Sequence, residues 1–127
     1  MPTVLSIVET AYRATLEEQD DTILWLNHML KTNGLDVSIL LRSNAVNYAV
    51  RGQDASGLRF GKAELAHPPT IDADLQALLE KGVPVFFVQE DLEERGIPEA
   101  NLIDGAKAVS RRELPGLLGG FDHVWHW

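Results

Sequence analysis

Cysteine is absent from this chain of 127 residues. Without a thiol there is no disulfide, no thiolate metal ligand and no sulfur nucleophile. Long apolar runs are absent too. None approaches the ~20 residues that a helix needs to cross a bilayer, and Met1-Pro2-Thr3 lacks the basic start and apolar stretch of an export signal. Basic residues are scarce: 11 Lys and Arg stand against 19 Asp and Glu, a formal net charge of −8. That balance argues against a nucleic-acid binder and against attraction to anionic membranes. The expectation is a cytoplasmic protein whose acidic surface serves solubility. No glycine-rich phosphate loop, Walker pattern or Gly-x-Gly-x-x-Gly follows the first apolar run. No linker, internal repeat or low-complexity stretch divides the chain, so a single domain over residues 1–127 is expected.

What is present is a regular alternation. Thr3 to Val8 is a short apolar run suited to a buried strand. The segment from Tyr12 to Asp21 reads as an early helix or an ordered loop. Ile23, Leu26, Met29 and Leu30 then fall at helical spacing, and Asn33-Gly34 supplies a stop. Val37 to Leu41 is the second strand, and Ser43 can cap the helix that follows, with Ala45, Val46, Ala49 and Val50 on its apolar side. From Gln53 to Pro69 the chain is polar and reads as one long loop, with a short ordered piece around Leu58 to Leu65. Thr70 or Asp72 opens a helix carrying Leu75, Leu78 and Leu79, and Gly82 ends it. Val85 to Val88 is the third strand, Ala106 to Val109 a fourth, and Asp122 to Trp127 a last one. Asp91 to Arg95 makes a short helix between them. Ser110-Arg111-Arg112-Glu113 has the form of a capping box. Strands alternating with helices predict an α/β fold with a mostly parallel sheet covered on both faces.

Several of these pieces resemble, in the same order, those of DsrE/DsrF-like proteins. Asn44 to Gln53 is similar to that family's helix ending in a Lys/Arg-Gly-Gln step. The Leu-rich helix running into Val83 to Val88 is similar to its helix and third strand. Leu92-Glu93-Glu94-Arg95-Gly96-Ile97 resembles its Leu-x-x-Arg-Gly-Ile/Leu step, and Ala106-Lys107-Ala108-Val109-Ser110 its closing pattern. The resemblance covers nearly the whole chain. It implies a three-layer αβα sandwich around a five-stranded parallel sheet. It also implies homo-oligomers or hetero-oligomers and protein partners from a sulfur-transfer system. Several members carry sulfur as a persulfide on a cysteine near the end of the third strand. Here that neighbourhood is Val88, Gln89, Glu90 and Asp91, none of which can carry sulfane sulfur.

The carboxyl edge of the predicted sheet collects the polar residues, as open α/β sheets place their sites there. The candidate acid–base carboxylates are Glu9, Glu90 and Asp91, and Glu9 with Glu90 can form a pair in which one member's pKa is raised. The alternative is that they cap helices and face water, Asp91 above all. Candidate ligand-binding residues are Thr10, Tyr12, Arg13, Ser43, Asn44 and Gln89. Arg13, Arg42 and Arg111 are possible helpers for an anion, although the carboxylates oppose one. No cofactor and no metal are expected. His123 and His126 would lie on opposite faces of a strand, His28 lies near the stripe of the first long helix, and His67 is the one histidine placed to reach a site. Trp125 and Trp127, with Phe121, either pack an edge strand on the last helix or form a subunit contact. The favoured expectation is a non-thiol binding or assembly subunit of sulfur-related metabolism, with a small-ligand pocket at the strand ends. The alternative is a small enzyme using the carboxylates there.

Overall fold

The computed structural model describes residues 2–10, 22–53, 59–64 and 70–127. Tyr12, Arg13, His67 and most of the segments around them lie outside those residues. The chain runs β1 (Thr3–Val8), α1 (Thr22–Thr32), β2 (Asp36–Leu41), a 3-10 helix at Ser43–Ala49, a small hairpin of β3 (Arg59–Phe60) and β4 (Ala63–Glu64), and α2 (Ile71–Glu80). It continues through β5 (Val85–Val88), α3 (Gln89–Glu94), a 3-10 turn at Glu99–Asn101, β6 (Lys107–Val109), a 3-10 turn at Arg111–Glu113, α4 (Leu114–Gly119) and β7 (His123–His126).

The main sheet has five strands in the order β6-β5-β2-β1-β7, and every pairing in it is parallel. The expected αβα sandwich is therefore the observed fold. The pleat sorts the residues. Val4 and Val8 of β1, with Val37, Ile39 and Leu41 of β2, enter the larger core beneath α1, α2 and the Ser43–Ala49 helix. Leu5, Ile7 and Leu40 point the other way, into a smaller core with Val88, Val109 and, from α4 and its flank, Leu114, Leu117, Leu118 and Phe121. The asymmetry follows from handedness. The steps from β1 to β2, β5 and β6 all move in one direction, and right-handed crossovers then place their connections on one face. Only the step from β6 back to β7 moves the opposite way, and α4 falls on the opposite face. The strand order consequently reverses between β1 and β7.

Four local outcomes differ from or refine the expectations. Ser43 does not cap its helix. It is the first helical residue, with Arg42 before it and no side-chain cap bond, and its φ is +52°. That helix is 3-10 rather than α, and Asn47 in its midst spends its side-chain amide on the Asn44 carbonyl, 2.9 Å away, the local competition that makes Asn a poor helix interior residue. The long loop contains an ordered hairpin, Arg59 and Phe60 against Glu64 and Ala63. β7 is an edge strand with all four residues exposed. Trp125 and Trp127 line a groove with Leu26 and Leu30 of α1, whereas only Phe121 joins the core under α4.

One buried polar position in β1 is answered in full. Ser6 faces α1, where its hydroxyl donates to Asn27 Oδ1 at 2.8 Å, and Asn27 donates to the Ile23 carbonyl. The Trp127 indole N–H donates to Ser6 Oγ at 3.4 Å, which ties the end of β7 to the same spot.

The Arg51-Gly52-Gln53 step is a structural lock. Gly52 takes φ +81°, which suits glycine best. Its amide and that of Gln53 donate to the Asp72 carboxylate at 2.9 and 3.1 Å. Gln53 Nε2 then reaches the carbonyls of Asn47, Tyr48 and Val50 at 2.7, 3.2 and 2.8 Å, so the open end of the 3-10 helix is satisfied by one side chain. Arg51 pairs with Asp104 at 2.7 Å. Replacing Gln53 by Ala removes its bonds to part-buried carbonyls, so Gln53→Ala is expected to lower unfolding free energy by about 1–3 kcal/mol in urea titration, with the sheet signal in circular dichroism retained.

Candidate functional site

The polar edge is built from the ends of all five strands of the sheet. β5 passes into α3 without a loop, which puts Asp91 in the first turn of that helix and 5% exposed. Its Oδ2 accepts from the Ser43 amide at 2.8 Å, and its Oδ1 accepts from Arg111 Nη2 at 2.5 Å. Arg111 also reaches Glu94 at 2.8 Å, and Arg95 Nη1 donates to the Asp91 carbonyl at 3.0 Å. Burial alone would raise the Asp91 pKa. The Ser43 amide, the bond and charge of Arg111 and the charge of Arg95 outweigh it and hold the carboxyl below its ordinary value. Arg111 is shifted upward in return, first by its bond to Asp91 and then by Glu94.

Ser43 occupies the corner between β2 and its helix. A serine at φ +52° is unusual, because Cβ crowds the backbone there. Its N–H is fixed by Asp91 and its Oγ donates to Glu9 Oε1 at 3.4 Å. Glu9, just past β1, has Arg42 Nε at 3.9 Å from the same oxygen and His126 Nε2 at 2.6 Å from Oε2. The Arg42 Nε is shielded from solvent and has no hydrogen-bond partner among the described residues. Ser43, Glu9 and His126 therefore form one contact chain across the ends of β2, β1 and β7, which are neighbours in the sheet.

The other candidates are placed as follows. Glu90 accepts from the Arg111 amide with both oxygens, at 3.1 and 3.0 Å, and so caps the turn after β6. Glu9 and Glu90 have separate partners, and the bonds that link them run through Ser43, Asp91 and Arg111. Gln89 donates to Glu93 at 3.2 Å along α3. Asn44 accepts from Arg95 Nε at 3.1 Å. Thr10 follows Glu9 and is exposed. Tyr12 and Arg13 lie outside the described residues. In the sequence Arg95 stands only in the Leu-x-x-Arg-Gly-Ile/Leu step, and His126 only among the histidines weighed as metal ligands. Nothing local marks either as a partner of the carboxylates. The parallel register of β7 on β1, with Ile7 opposite His126, is what carries His126 to Glu9. No cluster of three metal-ligating side chains occurs among the described residues, and no helix among them is long and apolar enough to cross a membrane.

Solved structures resemble the whole chain. The YchN protein of E. coli superposes with a TM-score of 0.71 and 24% sequence identity, covering 100% of both chains. MTH1491 of Methanobacterium thermoautotrophicum, described as a protein of unknown function, superposes with a TM-score of 0.65 and 16% identity, covering 98% of this chain and 99% of its own. The likeness is one of fold, and it agrees with the α/β sandwich on a five-stranded parallel sheet described above. No family model and no curated protein matches the sequence.

The depressed Asp91 pKa makes stability depend on pH in a defined direction. A carboxyl whose folded pKa lies below its unfolded value of 3.8 contributes stability in full above that value and loses it as pH falls through the folded one. Below pH ~3.8 the wild type is expected to weaken. The variant Asp91→Asn, which cannot lose that term, is expected to show a flatter acid limb and, at neutral pH, a loss on the order of 2 kcal/mol. Urea unfolding from pH 2.5 to 7 measures both, and parallel limbs would count against the assignment.

Proposed function

We propose that this chain is a non-thiol, DsrE-like binding and assembly subunit in sulfur-related metabolism, working in the cytoplasm as a homo-oligomer and meeting a protein partner from a sulfur-transfer system. The supporting observation is the state of the corner after β5. Where thiol-bearing relatives are expected to keep a reactive sulfur, Asp91 is buried and bonded to Ser43 and Arg111. A carboxylate held in this way neither carries sulfur nor serves as a general acid. A chain without cysteine then contributes contacts rather than sulfur transfer. A small ligand at the strand ends, near Glu9, Thr10, Ser43 and Asn44, belongs to the same reading.

The assembly half rests on exposed apolar surface. Trp25 is 51%, Val124 43% and Trp125 37% exposed. Leu26, Leu30, Val124, Trp125, His126 and Trp127 line an open groove of about 580 Å³ beside β7, the outermost strand among the described residues. An edge strand with exposed aromatic residues invites strand addition or docking, and a second copy of the chain is the occupant proposed. The second reading, a small acid–base enzyme, is favoured by the Ser43 contact to Glu9.

Native mass spectrometry of protein isolated from its own host tests the reading in one measurement, since it reports assembly and retained ligand together. An oligomer is expected, and Trp125→Ala is expected to weaken its self-association by roughly 30-fold or more, the loss typical of an interface hot spot. A monomer at micromolar concentration would refute the assembly half. Incubation with a persulfide donor is expected to leave the mass of the chain unchanged. A stable sulfur adduct on it would overturn the non-thiol role.

A further inference from the structure

We propose that Ser43 is a nucleophile for acyl transfer, acting on a small ester or thioester at the carboxyl end of β2 with Glu9 as its base. The inference goes beyond the assembly reading and stands without it.

Three independent features meet at this residue. The first is conformational. Ser43 is the sole non-glycine residue with positive φ among the described residues. A residue held in so sparsely populated a region needs surroundings that over-determine it. Those surroundings are present: the Ser43 amide is bonded to a buried carboxylate that is itself clamped by Arg111. The second is chemical. The Oγ lies 3.4 Å from Glu9 Oε1, and the other oxygen of Glu9 lies 2.6 Å from His126 Nε2. A hydroxyl, a base and a group that orients the base thus occur in series, the arrangement that activates a nucleophile. The third is topological. The series spans β2, β1 and β7, and the strand order reverses between the last two. Open α/β sheets bind ligands outside the carboxyl ends of strands at such a reversal.

The turn is also of the kind that presents a nucleophile. A sharp strand-to-helix bend exposes the serine of α/β-hydrolases at the top of a sheet. Here the flanking sequence is Leu41-Arg42-Ser43-Asn44-Ala45, so the glycines of that motif are missing and the bend is secured from outside by Asp91 instead. Asp91 is a positioning residue, and so is His126.

The step balances without a further reagent except water. Ser43 Oγ forms a bond to the carbonyl carbon as its proton passes to Glu9 Oε1. Negative charge on the carbonyl oxygen faces Arg42, whose side chain is 40% exposed at this corner. The carbon–leaving-group bond then breaks, and Glu9 returns the proton to the departing oxygen or sulfur. Water repeats the sequence on the acyl-serine, releasing the acid and restoring the hydroxyl.

The test is active-site labelling of the intact wild-type protein with a fluorophosphonate, followed by peptide mapping. One adduct per chain on Ser43 is expected, absent in Ser43→Ala. Should that variant fail to fold, Ser43→Gly, which suits the positive φ, provides the unlabelled control. Glu9→Gln is expected to slow labelling on the order of 10²-fold, the usual contribution of a positioned base, while its melting temperature stays close to that of wild type. No adduct under conditions that saturate a known serine hydrolase, or labelling of Ser110 as fast as Ser43, would overturn the proposal. So would labelling that Glu9→Gln leaves unchanged. Because the assembly reading is tested by mass and dissociation, failure of one leaves the other readable.

Discussion

The carboxylate of Asp91 lies almost out of reach of solvent, and a charge survives there only if its oxygens are answered. Each answer comes from a different part of the chain. Ser43 brings the bend after β2, Arg111 the turn after β6, and Asp91 itself starts the helix after β5. Three strand ends are thereby held in register at their polar tips by one side chain. The positive φ of Ser43, the placement of its hydroxyl toward Glu9 and the capping of the Arg111 turn by Glu90 all presuppose that anchor. Truncating it would leave the Ser43 amide unpaired and the Arg111 guanidinium with Glu94 alone, which is why the contact matters more than its two hydrogen bonds suggest.

The two faces of the sheet are unequal, and that inequality sets where function can be sought. Most crossovers travel the same way and crowd one face, so the core there is thick and closed. The single return crossover leaves the β1–β7 boundary as the place where the strand order turns over. At one end of that boundary stand Glu9, His126 and Ser43; along its outer edge lies the apolar groove of Trp125 and Trp127. Polar chemistry and apolar docking surface therefore share β7, and His126 belongs to both, lining the groove while its Nε2 meets Glu9. An assembly formed at the groove would bring a neighbour close to His126, so binding at one feature has a physical route to the other.

Legibility followed length scale. Thr3–Val8 and Val85–Val88 were readable to the residue, because an apolar run bounded by polar residues has few alternatives. The capping box at Ser110 and Glu113 was equally plain, and both of its bonds are present at 3.3 and 3.0 Å. The Ser43 segment was readable as a helix but not as a strained 3-10 one, since the strain is imposed by a carboxylate 48 positions away in the chain. The sequence left open whether Glu9 and Glu90 pair or cap helices; in the structure Glu9 meets Ser43 and His126, and Glu90 accepts from the Arg111 backbone. Arg95 stood in the Leu-x-x-Arg-Gly-Ile/Leu step, but its contacts with Asn44 and the Asp91 carbonyl were not legible, because a charged residue before a glycine looks like solvated surface until its neighbours are known.

Composition and periodicity by themselves determined the class of the protein: an acidic, cysteine-free α/β chain whose chemistry, if any, must use oxygen or nitrogen rather than sulfur. Those conclusions depend on residue type and local spacing, which a sequence states outright. Tertiary structure alone decided which polar groups meet. The strand order brought β7 beside β1, and with it His126 to Glu9; the junction of β5 and α3 buried Asp91 beside Ser43 and Arg111. Such pairings arise from sheet register and crossover handedness, and these depend on the packing of the whole chain rather than on any stretch of it.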